Sequence, residues 1–331
     1  MSTQRLPFPN VVDSTYMSDY NACSVKFLYS RLHHLHTEHI SIDLIAGAAY
    51  AAGHEAFRKS YWGTKPGDFG AALVALYVGF TRNWMSDGNT WMAEDEQKSF
   101  YNTILSCVDY YSTFVPSCEP YPPYILPNGL PAVEVNFCEP LEDAPPHPET
   151  GDPILFAGRM DQIVQGKAGI CYNADDKTTK ALGTQWTKQW DMRGQFSAYA
   201  WGTQRLGFQT EGMLVRGCGI MKTKSNYAEV LTQRPKWMVD RWYHQTCRNV
   251  EKMIEHWRTG RWDYNLGESC THYGGCTYQP LCLHPNPEKI RSLFTRRVWS
   301  PIAAEAASVE RKLAAAAQQR EQHGLTLEDF A

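Results

Sequence analysis

The chain has 331 residues, of which 43% are hydrophobic and 13% aromatic, so it can form one large core or two smaller ones. This composition excludes a disordered or fibrous protein. The formal net charge of −3 gives no global basic field, so any contact with nucleic acid must come from a local basic groove.

The sequence contains no signal for membrane insertion or secretion. No apolar run approaches the length of a membrane span, and residues 1–20 hold no apolar signal core. We therefore expect a cytoplasmic protein with no membrane partner. Because cytosolic cysteines normally remain thiols, a regularly spaced group among them would indicate a metal or cluster site. The other cysteines are expected to be small buried hydrophobic residues: Cys107, Cys118, Cys138, Cys171, Cys218 and Cys247.

Four helices are predicted in the first part of the chain, over residues 14–36, 43–61, 70–87 and 94–113. Ser14 is a possible N-cap of the first helix. The second helix is rich in alanine, which favours helix formation and close packing. Prolines from residue 116 onwards then end the helical region.

Strand-forming and helix-forming segments alternate after the prolines. Strands are predicted at 132–138, 154–165, 170–179 and 208–222, and helices at 185–206, 236–258 and 302–321. Residues 139–153 are predicted to form a proline-rich loop, and residues 262–290 an irregular region rich in Cys, Gly and Pro. Helices followed by a small sheet and further helices predict a mixed α/β fold.

An Asp-Asp-Lys sequence ends the third predicted strand. Because side chains alternate along a strand, Asp175 and Lys177 share one face and Asp176 takes the other. If the preceding turn spans residues 167–169, Asp161 faces Asp175 with about 5 Å between the Cβ atoms. Two carboxylates at that separation suit a hard cation with oxygen ligands, either magnesium or manganese.

Such a site has the groups needed to hydrolyse a phosphodiester bond. The metal would activate water and neutralise phosphate charge, and a second metal would stabilise the leaving oxygen. Lys177 would orient or deprotonate the attacking water, or stabilise the transition state. Taken alone, however, Asp-Asp-Lys fits the solvated turn of a surface hairpin better.

The next predicted helix carries further polar groups. Gln195 and Tyr199 are four residues apart and therefore lie on one helix face, where they can hold a phosphate or a water beside the metal. Trp186 and Trp190 have the same spacing. We interpret this pair as core rather than as a stacking surface.

Three short segments together form a recognisable order: GRMDQIV at 158–164, DDKTT at 175–179 and QFSAY at 195–199. They resemble the motifs of the RecB-type branch of the PD-(D/E)XK nuclease superfamily, where Gly-x-x-Asp, Asp-x-Lys-Thr and Gln-x-x-x-Tyr follow one another. Residues 14–32 also resemble the opening helix of that family. The matching positions there are Ser14, Cys23, Lys26 and Phe27.

The resemblance spans about residues 14–282 and is nearest to phage-encoded exonucleases. AddB-type nucleases and the CRISPR-associated nuclease with an iron–sulfur cluster are similar. It implies a restriction-endonuclease-like α/β fold, with a mixed central sheet flanked by helices, an N-terminal helical region and a cluster-stapled C-terminal region. The catalytic residues it implies are Asp161, Asp175, Lys177, Gln195 and Tyr199, with Asp161, Asp175 and Asp176 as metal ligands.

A further metal ligand is expected on the second helix, where many RecB-type nucleases carry a histidine in a Gly-x-x-x-His setting. One alignment of residues 46–58 uses His54 itself. Another places Glu55 on a family position and leaves Ala51 where the histidine would be. Glu134 is another candidate that can face the site.

Cys270, Cys276 and Cys282 recur at a spacing of six in a segment whose glycines and proline allow it to wrap around a bound group. Three thiolates are one short of a tetrahedral or cubane set. The resemblance supplies the fourth, Cys23, and implies a 4Fe–4S cluster that joins the two ends of the domain. Zinc suits four cysteines equally well by chemistry alone.

These observations predict a nuclease domain over residues 1–303 and a helical tail over 304–331. Its helical part covers about 14–113, its catalytic core about 130–222 and its cluster region 262–290. The predicted activity is metal-dependent DNA exonuclease action in recombination, repair or end processing. The alternative is a DNA-end-binding or assembly subunit that does not cut. Expected partners are single-stranded or duplex DNA ends, with a homo-oligomer or a recombination protein as further candidates. If the protein is phage-encoded, it acts in the host cytoplasm.

Overall fold

The computed structural model describes residues 6–37, 40–86, 96–117, 121–271, 275–298 and 301. The predicted helix 302–321, the tail after it and Cys118 lie outside these ranges.

Eleven α-helices are assigned within the described residues: α1 Ser14–Ala22, α2 Ser24–Phe27, α3 Ile42–Lys59, α4 Phe69–Trp84, α5 Phe100–Asp109, α6 Val115–Ser117, α7 Thr184–Lys188, α8 Gly194–Arg205, α9 Lys236–Thr259, α10 Glu268–Thr271 and α11 Gln279–Leu283. The strands are β1 Val11–Val12, β2 Leu35–His36, β3 Val133–Pro140, β4 Leu155–Gln165, β5 Cys171–Thr179, β6 Thr210–Ile220, β7 Ser225–Gln233 and β8 Thr295–Arg296. Among these described helices, none is both long enough and apolar enough to cross a bilayer.

The chain divides into two compact units. Unit 1 comprises Met1–His36, Pro140–Ala157 and Val250–Ala331, and unit 2 comprises Thr37–Glu139 and Gly158–Asn249. Unit 2 holds a mixed sheet in the order β4-β5-β6-β7, with β3 also paired to β4. Strand β5 is antiparallel to β4 and parallel to β6, and β7 is antiparallel to β6.

Helices lie on both faces of this sheet, as one contact on each face shows. On one face, Arg58 of α3 binds the carboxylate of Asp176 on β5. On the other, the amide of Asn173 on β5 donates to Thr203 Oγ1 on α8, at 3.3 Å. The fold is therefore a mixed α/β fold with a central mixed sheet flanked by helices.

Helices α3, α4 and α5 form an apolar core in unit 2. Gly79 permits the close approach of α3 and α4, since a Cβ atom there would lie 2.7 Å from Ala56 Cβ and 2.9 Å from the Ala52 carbonyl oxygen. The largest fully buried side chains of this cluster are Phe57, Leu76, Phe80 and Trp84. Helix α3, which carries the predicted metal ligands His54 and Glu55, is thus held rigidly.

The glycine of the GRMD segment has a packing role. The ring of Phe137 on β3 lies against Gly158 on β4 and Gly202 on α8. A Cβ atom at either glycine would come within 2.6 Å of that ring. Larger residues would therefore displace the strand and the helix that carry Asp161 and Tyr199.

Unit 1 combines segments that are far apart in sequence. Val11 and Val12 of β1 pair with the first residues of β4, in parallel. The indole of Trp257 on α9 donates to the Leu6 carbonyl at 2.7 Å. The antiparallel pair β2 and β8 closes the C-terminal part onto the N-terminal helices.

Two predicted helices are broken in the structure. Residues 14–36 divide at Cys23, whose backbone is extended with φ −170°, and Asp13 rather than Ser14 is the N-cap. The segment 185–206 divides into α7 and α8 because Arg234 holds the Trp190 carbonyl at 2.7 Å, and Arg193 is extended. At the second break, a contact with a distant residue therefore outweighs local helix propensity.

Four strands were not predicted: β1, β2, β7 and β8. Three of them have two residues each, too few to show a period. Strand β7 is polar, and its residues are mostly half-buried along the edge of the unit 2 sheet. The four predicted strands are β3, β4, β5 and β6. They and the turn at 167–169 lie within a few residues of their predicted positions.

Candidate active site

The carboxylate of Asp175 and the ammonium of Lys177 lie side by side on β5, in direct contact. Strand alternation places them on one face of the sheet, as predicted, and that face is the one that α8 covers. Asp175 is 1% exposed, whereas 28% of the Lys177 side chain is accessible. Burial raises the pKa of Asp175, and the neighbouring Lys177 opposes that rise. Although burial lowers the pKa of Lys177, the charges of Asp175 and Asp161 raise it more, so Lys177 is a cation at neutral pH.

Asp161 on β4 is next to this pair. The β4–β5 ladder pairs Gln162 with Ala174, and one more step in that register brings Asp161 opposite Asp175. The Asp161 carboxylate accepts the Asp176 backbone N–H at 2.8 Å. Burial and then the charge of Asp175 raise the pKa of Asp161 well above its usual value. Asp175 is buried and Asp161 is half-buried, and a cation would relieve the repulsion between their carboxylates.

Asp176 points to the opposite face and is not directed at the carboxylate pair. Its side chain is only 4% exposed and receives both terminal nitrogens of Arg58, one of them at 3.1 Å. Burial raises the pKa of Asp176, but the Arg58 charge outweighs this and holds it below its usual range. This ion pair ties α3 to β5.

His54 belongs to the same side as Asp176. The ring is fully buried among Tyr50, Tyr110 and Tyr111, and its Nδ1 atom lies 3.1 Å from the Tyr111 hydroxyl. Burial, and secondly the Arg58 charge, lowers the pKa of His54 to about 3. His54 is therefore a neutral core residue, and the structure does not bring it to Asp161 and Asp175.

Glu134 lies on the side of the carboxylate pair. Its backbone is left-handed, with φ 55°, which is uncommon for a residue other than glycine. Its carboxylate pairs with Arg159 at 2.8 Å. Burial raises the pKa of Glu134 to about 7, and the charge of Glu55 contributes to that rise. Glu55 is itself paired with the Lys59 ammonium. His54 and Glu55 were the two candidate metal ligands on α3. Of these, Glu55 is the one whose charge acts on Glu134.

Gln195 and Tyr199 lie on one face of α8, as their spacing predicts, and the Gln195 amide donates to the Tyr199 hydroxyl at 2.8 Å. Burial and then the charges of Asp175 and Asp161 raise the pKa of Tyr199, which therefore keeps its proton. Trp186 and Trp190 are both buried and pack edge to face, with ring centroids 5.2 Å apart. They are core residues, as interpreted.

Two arginines near the site were not identified from the sequence. Arg58 follows His54 by four residues on α3, so helical spacing predicts that the two side chains share one helix face. That spacing was the only signal for Arg58 in the sequence. Arg193 precedes Gln195, and its charge acts on both Asp175 and Lys177. No pattern distinguishes such an arginine from an ordinary exposed one.

The four cysteines predicted to bind a cluster line one pocket in unit 1: Cys23, Cys270, Cys276 and Cys282. Burial, and then the charges of the other three sulfurs, raises the pKa of Cys282 to about 11. Gly275 has φ 102°, which favours glycine, and it turns the backbone between Cys270 and Cys276.

All nine cysteines in the described ranges are free thiols. Among those expected to be buried, Cys107, Cys218 and Cys247 are so, whereas Cys138 and Cys171 are half-buried. Across the described part of the chain, no group of three or more His, Cys, Asp or Glu side chains could hold a metal ion as it stands. The oxygen-rich and sulfur-rich sets nevertheless match in donor chemistry a hard cation and a cluster, respectively.

Comparison with known proteins identifies no family for this chain. No protein-family model and no curated protein matches it. A crystal structure of a candidate exonuclease from Eubacterium rectale is similar with a TM-score of 0.46 and 12% identity, covering 80% of this chain and 88% of that one. The structure of SSO0001 has a TM-score of 0.29 and 12% identity, covering 81% and 96%. With both TM-scores below 0.5, neither likeness carries weight for activity.

Proposed function

We propose that this protein is a metal-dependent DNA nuclease that degrades DNA from an end. The observation that carries the proposal is the convergence of Asp161, Asp175 and Lys177 on two adjacent strands. A surface hairpin has no need of a buried carboxylate and a half-buried one beside a lysine, because withdrawing like charges together from water costs free energy. The ordered resemblance to RecB-type motifs supplies the reaction class.

Asp161 and Asp175 would hold a magnesium or manganese ion. Glu134 is the candidate for a third carboxylate ligand, and Glu55 would act on it through its charge. Such an ion commonly keeps several waters, so two or three protein ligands suffice. When bound, it would activate water and neutralise charge on the phosphate. Asp176 and His54, held by Arg58 and the tyrosines, would act as supports.

The cationic Lys177 would orient the attacking water and stabilise negative charge on the phosphate. The Tyr199 hydroxyl, fixed by the Gln195 amide, would donate to a phosphate oxygen or a water. The guanidinium of Arg193 would add a further positive charge on this side. These groups act on phosphate alone, so base specificity is not expected at this site.

The test is cleavage of end-labelled linear and circular DNA, single-stranded and duplex, by protein prepared without oxygen. With magnesium or manganese, linear DNA should be degraded while circles survive, and EDTA should stop the reaction. Cleavage of circles would exclude the exonuclease assignment and leave an endonuclease. If folded protein cuts nothing with either metal, a DNA-end-binding subunit becomes the better account.

We also propose that the four-cysteine pocket binds a 4Fe–4S cluster, with structural zinc as the alternative. Protein prepared without oxygen should be brown, absorb in the visible blue and contain iron. Cys276→Ser should lose colour and iron together, because a cubane cluster needs all four thiolates. The control Cys171→Ser changes a half-buried thiol of unit 2 and should keep both. A colourless wild-type protein that contains zinc would contradict the cluster.

A further inference from the structure

Residues 236–249 of helix α9, which belong to unit 2, have two different faces. The inner face packs on α8. There the rings of Trp242 and Tyr243 lie 5.9 and 5.8 Å from the ring of Trp201, and a Cβ atom on Gly194 would lie 3.7 Å from Trp242. The outer face, called here the α9 face, consists of exposed side chains at helical spacing: Trp237, Arg241, His244 and Arg248.

Trp237 is the unusual member of the α9 face. It is 55% exposed, whereas tryptophan is highly buried on average, as Trp186 and Trp190 are at 7% and 4% exposure. The guanidinium carbon of Arg241 lies 5.0 Å from the centroid of the Trp237 ring, a cation–π contact that orients the two groups. An accessible indole beside a guanidinium offers a flat surface on which another ring can stack.

The charge of this part of α9 is positive. Residues 236–249 contain three cations, Lys236, Arg241 and Arg248, and one carboxylate, Asp240. The Lys236 ammonium binds the Asp240 carboxylate at 2.7 Å and balances its charge. The two arginines of the α9 face remain in excess over carboxylates in this segment. An exposed face with this charge complements a polyanion.

The start of α9 is fixed beside the loop from which α8 begins. Arg234, two residues before α9, donates from its guanidinium to the Trp190 carbonyl in this loop at 2.7 Å. The same loop ends in the exposed Arg193, whose charge acts on Asp175 and Lys177. A strand bound along the α9 face would therefore lie next to a loop that acts on the candidate active site.

We propose that the α9 face binds single-stranded DNA, with an unpaired base stacked on Trp237 and phosphates held by Arg241 and Arg248. Bases in a duplex are already stacked on their neighbours, so only an unpaired base can use such a surface. The face would bind any sequence, because every base has a π-face. The choice of DNA rests on the proposed nuclease function, whereas the stacking and the charge rest on the side chains themselves.

The test is binding of a fluorescently labelled single-stranded oligonucleotide in EDTA at several salt concentrations. Trp237→Ala should weaken binding about tenfold and leave the slope against log salt unchanged, because stacking releases no counterions. Trp237→Phe keeps an aromatic ring and should retain most of the affinity. Arg248→Gln should instead lower the slope by about 0.7, the value for one lost phosphate contact on a single strand.

Matched controls come from α4, which packs against α3. Tyr77→Ala removes an aromatic side chain that is 56% exposed, and Arg82→Gln removes an exposed cation. Neither change should alter the affinity or the slope. Wild-type affinity in Trp237→Ala would overturn the proposal. So would an equal loss of duplex binding in that variant, because no unpaired base is present there.

An oligonucleotide with abasic positions tests the stacking without relying on a variant alone. Wild type should bind it about tenfold more weakly than the intact strand, whereas Trp237→Ala should bind both strands alike. Discrimination that persists in Trp237→Ala would place the stacked base elsewhere. Because these assays contain EDTA, they do not depend on cleavage. Failure of the nuclease proposal is therefore seen separately, in the cleavage assay.

Discussion

Lys177→Ala should reduce the rate of DNA cleavage about 10²–10³-fold while leaving DNA binding in EDTA nearly unchanged. The lysine ammonium is in contact with Asp175, and part of it is accessible to a substrate. Its removal takes away the cation that would stabilise the transition state. It also removes the charge that opposes the pKa rise of Asp175, so that carboxylate becomes a poorer metal ligand.

The measurement is single-turnover cleavage of end-labelled linear DNA over a range of magnesium and manganese concentrations. Lys180→Ala is the matched control. Lys180 is three residues from Lys177, and its ammonium nitrogen pairs with the Asp43 carboxylate at 3.2 Å. The control should cleave as wild type does. A Lys177→Ala protein with wild-type activity would remove the Asp-Asp-Lys site from the mechanism.

Arg58→Ala should destabilise the folded protein by about 3–5 kcal/mol, because it leaves the buried Asp176 carboxylate without its cation. The loss should be smaller in acid. In the folded wild type the pKa of Asp176 is depressed, so its stabilising effect is present above the unfolded pKa and is lost only as pH falls from there through the folded pKa. Without Arg58, burial raises the pKa of Asp176, so the variant binds a proton near pH 4 and no longer keeps a buried charge. Denaturant unfolding at neutral pH and near pH 4 measures the difference.

Two comparisons separate the buried charge from the loss of the side chain. Arg58→Ala combined with Asp176→Asn should be less destabilised than Arg58→Ala alone, because no charge remains buried. Lys59→Ala breaks the neighbouring exposed pair with Glu55 and should cost at most about 1 kcal/mol. If the double variant is no more stable than Arg58→Ala, the ion pair is not the source of the effect.

Part of the site could be predicted because it depends on short-range periodicity. Alternation along one strand separates Asp175 and Lys177 from Asp176, and helical spacing puts Gln195 beside Tyr199. The register of β4 on β5 followed from the length of one turn. Each of these needs only neighbouring residues, and the structure has each of them.

Long-range packing decided the remainder. Whether His54 or Glu55 lies toward the carboxylates depends on the orientation of α3 against the sheet, and Arg58 and the tyrosines fix it. The break at Cys23, the strained backbone of Glu134 and the pairing of β2 with β8 also require partners from distant segments. The sequence by itself determined which chemical groups are present and how neighbours alternate. Only the tertiary structure decided which of those groups meet, because burial, ion pairs and packing between distant segments outweigh local preference.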